Sequence, residues 1–226
     1  ISVFVTFPLG NGDEGYHLSK SYNIFSMNHP KSMKKTVVRQ LEYQAIGLDG
    51  DMKDFDVETF YIKKLKDVEK DSFRFNIAYD RNITMQIDIA HIPAAIGVMV
   101  GRVIYPSYGI MLLCSRISSL LFFALCMGAI IKKSTVGKWT LFMLFSIPCI
   151  QKLASPSYDV FSYVVFAMYS VNIFELAKLR TIKEVSKQKI LYTLITIILL
   201  LFCKKNYLFA LAVIPFLPMF FLRVLE

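Results

Sequence analysis

The sequence predicts an all-α polytopic membrane protein that carries a small mixed α/β subdomain on its first extracytoplasmic loop. Three observations lead there. Apolar residues make up 55% of the 226 residues and the mean hydropathy is +0.48, above the roughly 45–50% apolar content of soluble domains. Charge divides unevenly: residues 1–91 hold 12 Lys and Arg against 13 Asp and Glu, and residues 92–226 hold 14 against four. The second part then runs through five charge-poor stretches in series.

Those stretches are 108–131, with Arg116 as its one charge, 139–153, with Lys152, and the uncharged 160–174, 190–203 and 206–222. A span needs about 20 apolar residues. Several of these are shorter, and flanking Tyr, Trp and Lys extend them by reaching for the interface. Residues 108–226 therefore read as about five transmembrane helices. A soluble helical core competes with this reading, and five such stretches with short charged loops between them argue against it. The basic excess sits in the apolar half, so it suits lysines flanking membrane helices and not a nucleic-acid face.

Residues 1–7 are apolar and read as the end of a first transmembrane helix, which makes the chain a fragment of a longer one. Residues 8–91 form the extracytoplasmic subdomain. Within it, Met33, Val37, Val38, Leu41 and Ala45 keep helical spacing over 31–47, with Gly47 placed to end the helix. Residues 49–56 are acidic and loop-like. Apolar residues alternate at Phe73, Phe75, Ile77 and Tyr79, and again from Ile83 to Ile89, around Asp80-Arg81-Asn82; this predicts a hairpin. Residues 92–107 carry Pro93, Gly97, Gly101 and Arg102 and read as a surface or re-entrant helix. Cys114, Cys126, Cys149 and Cys203 form no Cys-x-x-Cys and read as small buried hydrophobes.

Basic residues set the orientation. Lys132, Lys133 and Lys138 mark one loop; Lys178, Arg180, Lys183, Lys187 and Lys189 mark another. The positive-inside rule puts both in the cytoplasm. Counting spans then leaves 8–107, 155–159 and 204–207 outside.

Three polar features thus share the outer side. The first is Asp13-Glu14-Gly15-Tyr16-His17, in which Asp13 and His17 share a helical face and Glu14 lies one turn from His17. A carboxylate there can deprotonate a sugar hydroxyl. The second is Ser155-Pro156-Ser157-Tyr158-Asp159, and the third is Lys204-Lys205-Asn206-Tyr207. A leaving lipid phosphate needs a cation, which Lys204, Lys205 or Arg116 supplies. Plainer roles suit the same residues: Asp13 capping a helix, Asp159 complementing a helix N-terminus, the lysines anchoring a helix end. Asp13, Glu14 and His17 also suit a divalent metal. No other cofactor is implied. His29 reads as a loop residue. His91, before Ile92-Pro93, suits a structural place or one near the site. Asn82-Ile83-Thr84 fits a glycosylation sequon, a pattern common by chance.

Pro8 to His17 resembles the "P…DE..H" signature of a large bacterial family of polytopic membrane proteins of unknown function, itself similar to the GT-C glycosyltransferases. Residues 92–97 look like that family's "lPqalG" stretch, residues 155–159 like its "S.SYD", and 204–207 like its Lys-x-x-Tyr turn; Arg116 falls where it has an Arg. Gly15 stands where the family often has Pro, and the stretch before Ile92 lacks its usual Pro and aromatic residues. The resemblance implies a GT-C-like fold in a bacterial plasma membrane, an acidic catalytic residue in the first outer loop and a polyprenyl-phosphate-linked sugar as donor. Asp13 is then the base, supported by Glu14 and His17, and Arg116, Tyr158, Asp159, Lys204, Lys205 and Tyr207 bind the lipid phosphate or the substrates. The implied partners are the bilayer, that donor and a cell-surface glycan acceptor. Two alternatives are a transporter or flippase for a lipid-linked glycan, and an assembly subunit.

Overall fold

The computed structural model describes residues 8–9, 13–46, 56–76, 89–143, 150, 152–179 and 184–216. The described residues are helical and include no strand. The elements are α1 (Glu14–Ile24), a 3-10 turn (Lys31–Met33), α2 (Lys35–Ile46), α3 (Val57–Tyr61), α4 (Lys66–Glu69), α5 (Ile92–Ile104), α6 (Tyr108–Lys133), α7 (Lys138–Met143), α8 (Asp159–Ala177), α9 (Lys187–Leu201) and a 3-10 segment (Lys205–Phe216).

Local chemistry sets several of these bounds. Asp56 accepts from the Glu58 N–H and opens α3. Ser107 and Ser186 do the same for α6 and α9, through the Ile110 and Lys189 N–H groups. Lys132 and Lys133 close α6, where cations complement the helix dipole. The helix predicted over 31–47 forms as the 3-10 turn followed by α2; Gly47 lies outside the described residues.

The predicted hairpin is corrected in its described part. Residues 73–76 pair with no strand. The Asn76 N–H donates to Ile24 O instead, Phe75 meets Phe25 at 5.6 Å, and Phe73 lies 4.0 Å beneath the Arg102 guanidinium. The alternation of Phe73 and Phe75 thus answers to two separate partners and not to a β-ladder. The rest of that hairpin, 77–88, lies outside the described residues. Asp71 fastens this segment, accepting from Tyr22 Oη (2.8 Å), Ser26 Oγ (2.5 Å) and the Asn28 N–H (2.9 Å), with Arg102 at 3.5 Å. Burial opposes the Asp71 charge, yet these bonds and Arg102 hold its carboxyl below the ordinary range.

One core joins the subdomain to α5 and α6 through Leu18, Tyr22, Val38, Phe60, Val98 and Met111. A Cβ on Gly97 would lie 2.3 Å from Cys114 O, and one on Gly101 2.8 Å from Met111 Cα, so these two glycines let α5 lie against the α6 backbone. A second core packs α8 onto α6 and α7, and a third packs α9 and the final 3-10 segment onto α8.

Two described helices, α6 and α8, are long and apolar enough to cross a membrane, and only half or less of their most apolar stretches is buried. Leu121 and Leu125 on α6 and Phe174 on α8 stand exposed. So do Leu191, Leu194 and Ile198 on α9, which has 15 residues. Apolar surface of this extent on a helical bundle calls for an apolar surrounding. Residues 144–149 and 217–226, parts of two other expected spans, lie outside the described residues.

Candidate functional site at one end of the bundle

α8 and α9 run antiparallel, so Tyr158 and Asp159 at the start of α8 meet Lys204 just after α9. Lys204 Nζ is 3.7 Å from Asp159 Oδ1 and 5.4 Å from the Tyr158 ring centroid. The Lys204 N–H also donates to Ser162 Oγ. At the other end of α8, Glu175 accepts from the Thr135 N–H and Oγ1, both at 3.0 Å, and lies 3.9 Å from Lys189 Nζ. Thr135 of the first basic loop and Lys189 of the second therefore share the end away from Lys204.

α1 docks against the Lys204 end. Its His17 Nδ1 is 2.8 Å from His91 Nε2, and the His17 ring meets Tyr158 edge to face at 4.9 Å. His91 also faces Tyr158, at 5.7 Å. Both imidazoles are buried. Burial first, and then the positive charges of Lys204 and Arg39, lower the His17 pKa to about 3, so it is neutral at physiological pH. His17 of α1 and the lysine turn thus both meet the Ser-Tyr-Asp turn, through Tyr158.

Asp13 and Glu14, adjacent in sequence, have opposite fates. Glu14 is fully buried and accepts both Arg116 Nε (2.8 Å) and Nη2 (2.7 Å). Arg116 is the ninth residue of α6, about 12 Å along its axis. A lone Arg inside a membrane helix costs about 2.5–3.5 kcal/mol to insert, and the two-pronged bond to Glu14 offsets that cost. Arg116 is thus engaged by a protein carboxylate at the position where a lipid phosphate was expected.

Asp13 turns outward, with 63% of its side chain exposed, and Arg39 Nη2 reaches its Oδ1 at 2.5 Å. It makes no side-chain cap to α1 and holds a left-handed backbone at φ 54°. The capping role is therefore absent; the Glu42 carboxyl lies beside Gly15 at this end of α1, and the Gly15 and Glu14 N–H groups favour its charged form. Left-handed backbone is uncommon for a residue with a Cβ, and such conformations collect at functional sites.

Two charged neighbours were not expected from the sequence. Arg39 holds Asp13, and Glu42 sits behind it, buried, with its Oε1 lacking a hydrogen-bond partner among the described residues. Burial pushes the Glu42 carboxyl up from its ordinary range. A signal existed: on α2, Glu42 shares its face with Val38 and Ala45, all three buried. His91 takes the nearer of its two expected places, against His17.

The remaining expected residues lie apart from this cluster or at its edge. Lys205 is exposed and pairs with no described residue. Tyr207 packs on α8, against Tyr163 at 6.2 Å and Phe166 at 5.4 Å. Among the described residues no three His, Cys, Asp or Glu side chains gather as a metal site. The metal set expected of Asp13, Glu14 and His17 does not form, because Glu14 and Asp13 point apart.

A carboxylate open to solvent, a neutral imidazole and two flanking cations can together take up a proton and bind an anion. No curated protein and no solved structure matches the chain. The model of DUF2142, described as a predicted membrane protein, matches residues 1–223, and the chain belongs to that family.

Proposed function

We propose that the chain is the catalytic part of a membrane glycosyltransferase that uses a polyprenyl-phosphate-linked sugar and modifies a cell-surface glycan. The observation carrying this reading is that His17 packs on Tyr158, whose neighbour Asp159 meets Lys204, while Arg39 holds Asp13 at the start of the same helix α1. In the proposed step, an acceptor hydroxyl attacks the anomeric carbon of the donor. Asp13 takes the hydroxyl proton, the anomeric carbon–oxygen bond to phosphate breaks, and the polyprenyl phosphate departs with the bonding electrons. Lys204 and Arg39 are the cations placed to balance its charge. The basic residues at the opposite end support an outward-facing site in a bacterial plasma membrane, by the positive-inside rule.

A path for transport through the bilayer calls for ionisable groups along it. Arg116, the charge within α6, is bound to Glu14, which favours the transferase reading.

Asp13→Asn tests the proposal. A positioned base contributes about 10²–10⁴-fold, so the variant, inserted and melting like the wild type, loses the glycan modification by a factor of that order. Normal glycan composition in cells carrying the variant overturns the proposal.

A further inference from the structure

A second feature lies beside the Asp13 cluster. α1 and the start of α2 enclose a cavity of about 390 Å³, open to solvent. Tyr16, Ser19, Lys20 and Asn23 line one wall; Lys34 and Lys35, with Thr36, line the other. Among the described lining residues three are cations and none is an acid. Lys34 and Lys35 form no ion pair with a described residue. Ser19 Oγ is already spent on Met33 O, which fixes the 3-10 turn against α1 and so holds Lys34 and Lys35 in place.

The cavity is continuous with the site. Tyr16, Lys20 and Asn23 fall on one stripe of α1, which starts just after Asp13, and about 10 Å of helix separates Tyr16 from Asn23. The Tyr16 ring carries Lys35 Nζ at 4.9 Å and Arg39 at 5.9 Å, and Arg39 in turn holds Asp13. The volume lies in the range of pockets that hold an organic ligand, well beyond the needs of one ion.

We propose that this groove binds a polyanionic, phosphate-bearing glycan and delivers its hydroxyl end to Asp13. Lys20, Lys34 and Lys35 face the phosphates, Asn23 and Thr36 offer hydrogen bonds to the sugar or polyol between them, and Tyr16 marks the end nearest the reaction. This names the acceptor class and rests on the transferase reading given above.

The test is a binding measurement on the full chain in nanodiscs of neutral phosphatidylcholine, with a fluorescent oligo(glycerol phosphate) as probe and neutral dextran of similar length as control. The oligomer binds, dextran does not, and Lys34→Gln/Lys35→Gln weakens binding by about tenfold or more. Binding that ignores the two lysine changes, or no binding at all, overturns the proposal. So does oligomer binding abolished by adding phosphatidylglycerol to the disc, which marks the groove as a lipid-headgroup site. Failure of the transferase reading looks different: Asp13→Asn leaves the glycan normal while the lysine-dependent binding persists.

Discussion

His17 and His91 stand 74 positions apart in the chain, yet their ring nitrogens Nδ1 and Nε2 lie 2.8 Å from each other. Between two buried imidazoles this distance needs one nitrogen to donate and the other to accept, which a neutral pair satisfies and a doubly charged pair does not. The consequence is a pH dependence with a definite sign. The His17 pKa falls from 6.5 to about 3, through burial and then through Lys204 and Arg39. Below about pH 6.5 the unfolded chain takes up a proton that the folded chain refuses. Stability therefore drops as pH falls through that window, by about 1.4 kcal/mol per unit for this residue. Above about pH 7 it is flat for this group. Melts of wild type and His17→Gln in detergent between pH 7.5 and 4.5 check this: the variant loses roughly one proton's worth of slope.

Glu14 and Arg116 make a prediction of a different kind, about a buried ion pair. Both side chains are almost wholly inaccessible, at 0% and 3%. Removing one partner leaves the other buried and uncompensated, at a cost of about 3–5 kcal/mol, whereas replacing both with apolar groups is often neutral. Glu14→Ala and Arg116→Met should each lower the melting temperature of the detergent-solubilised chain strongly. Glu14→Met/Arg116→Met should regain most of it. A double variant as unstable as the sum of the two singles would show that the pair is not the cause.

The contrast between adjacent Asp13 and Glu14 also marks how far the sequence alone could be read. Periodicity and charge spacing gave α2, α5, α6 and α8, because each of those patterns is local. Antiparallel packing of α8 and α9 brings Tyr158, Asp159 and Lys204 together. Which carboxylate faces out was not legible, since it depends on Arg116, 102 positions away, reaching back to Glu14. Arg39 and Glu42 were missed for a related reason. Their roles arise only when the α2 face carrying Val38 packs against Gly15, where a Cβ would come within 2.9 Å of Val38 O. The strand reading at 73–76 failed because alternating rings need not face a sheet, and here the Arg102 guanidinium and the Phe25 ring are their partners.

Gly97 and Gly128 separate packing from propensity. Ala is favoured over Gly within a helix by about 1 kcal/mol. At Gly97 the added Cβ would meet backbone, Cys114 O at 2.3 Å and Ser115 Cα at 2.6 Å, so α5 must move off α6. Overpacking of that kind costs about 1–3 kcal/mol and exceeds the propensity gain when the obstacle is backbone. At Gly128 nothing lies within 4 Å. Gly97→Ala should therefore destabilise the chain and Gly128→Ala should be neutral to mildly stabilising, as read by thermal melts of the two variants side by side. Equal melting temperatures would mean that α5 does not sit against α6 as described.

Sidedness underlies the functional reading, and α8 provides its measure. Its 19 residues rise about 28 Å, close to the roughly 30 Å of a bilayer's hydrocarbon core. Asp159 at one end meets Lys204, and Glu175 near the other meets Thr135 and Lys189. Single cysteines at Met27 and Lys205 should then react with a membrane-impermeant maleimide on intact cells, in a background whose four native cysteines are replaced. Cysteines at Lys133 and Lys187 should react only after permeabilisation. All four parent residues are exposed, so a silent position reflects its compartment and not burial. Labelling of 205 with 187, and not with 27, would put the lysine turn and α1 on different faces. Lys204 and His17 could not then share a site, and the proposed transfer step would lose the cation nearest its leaving group.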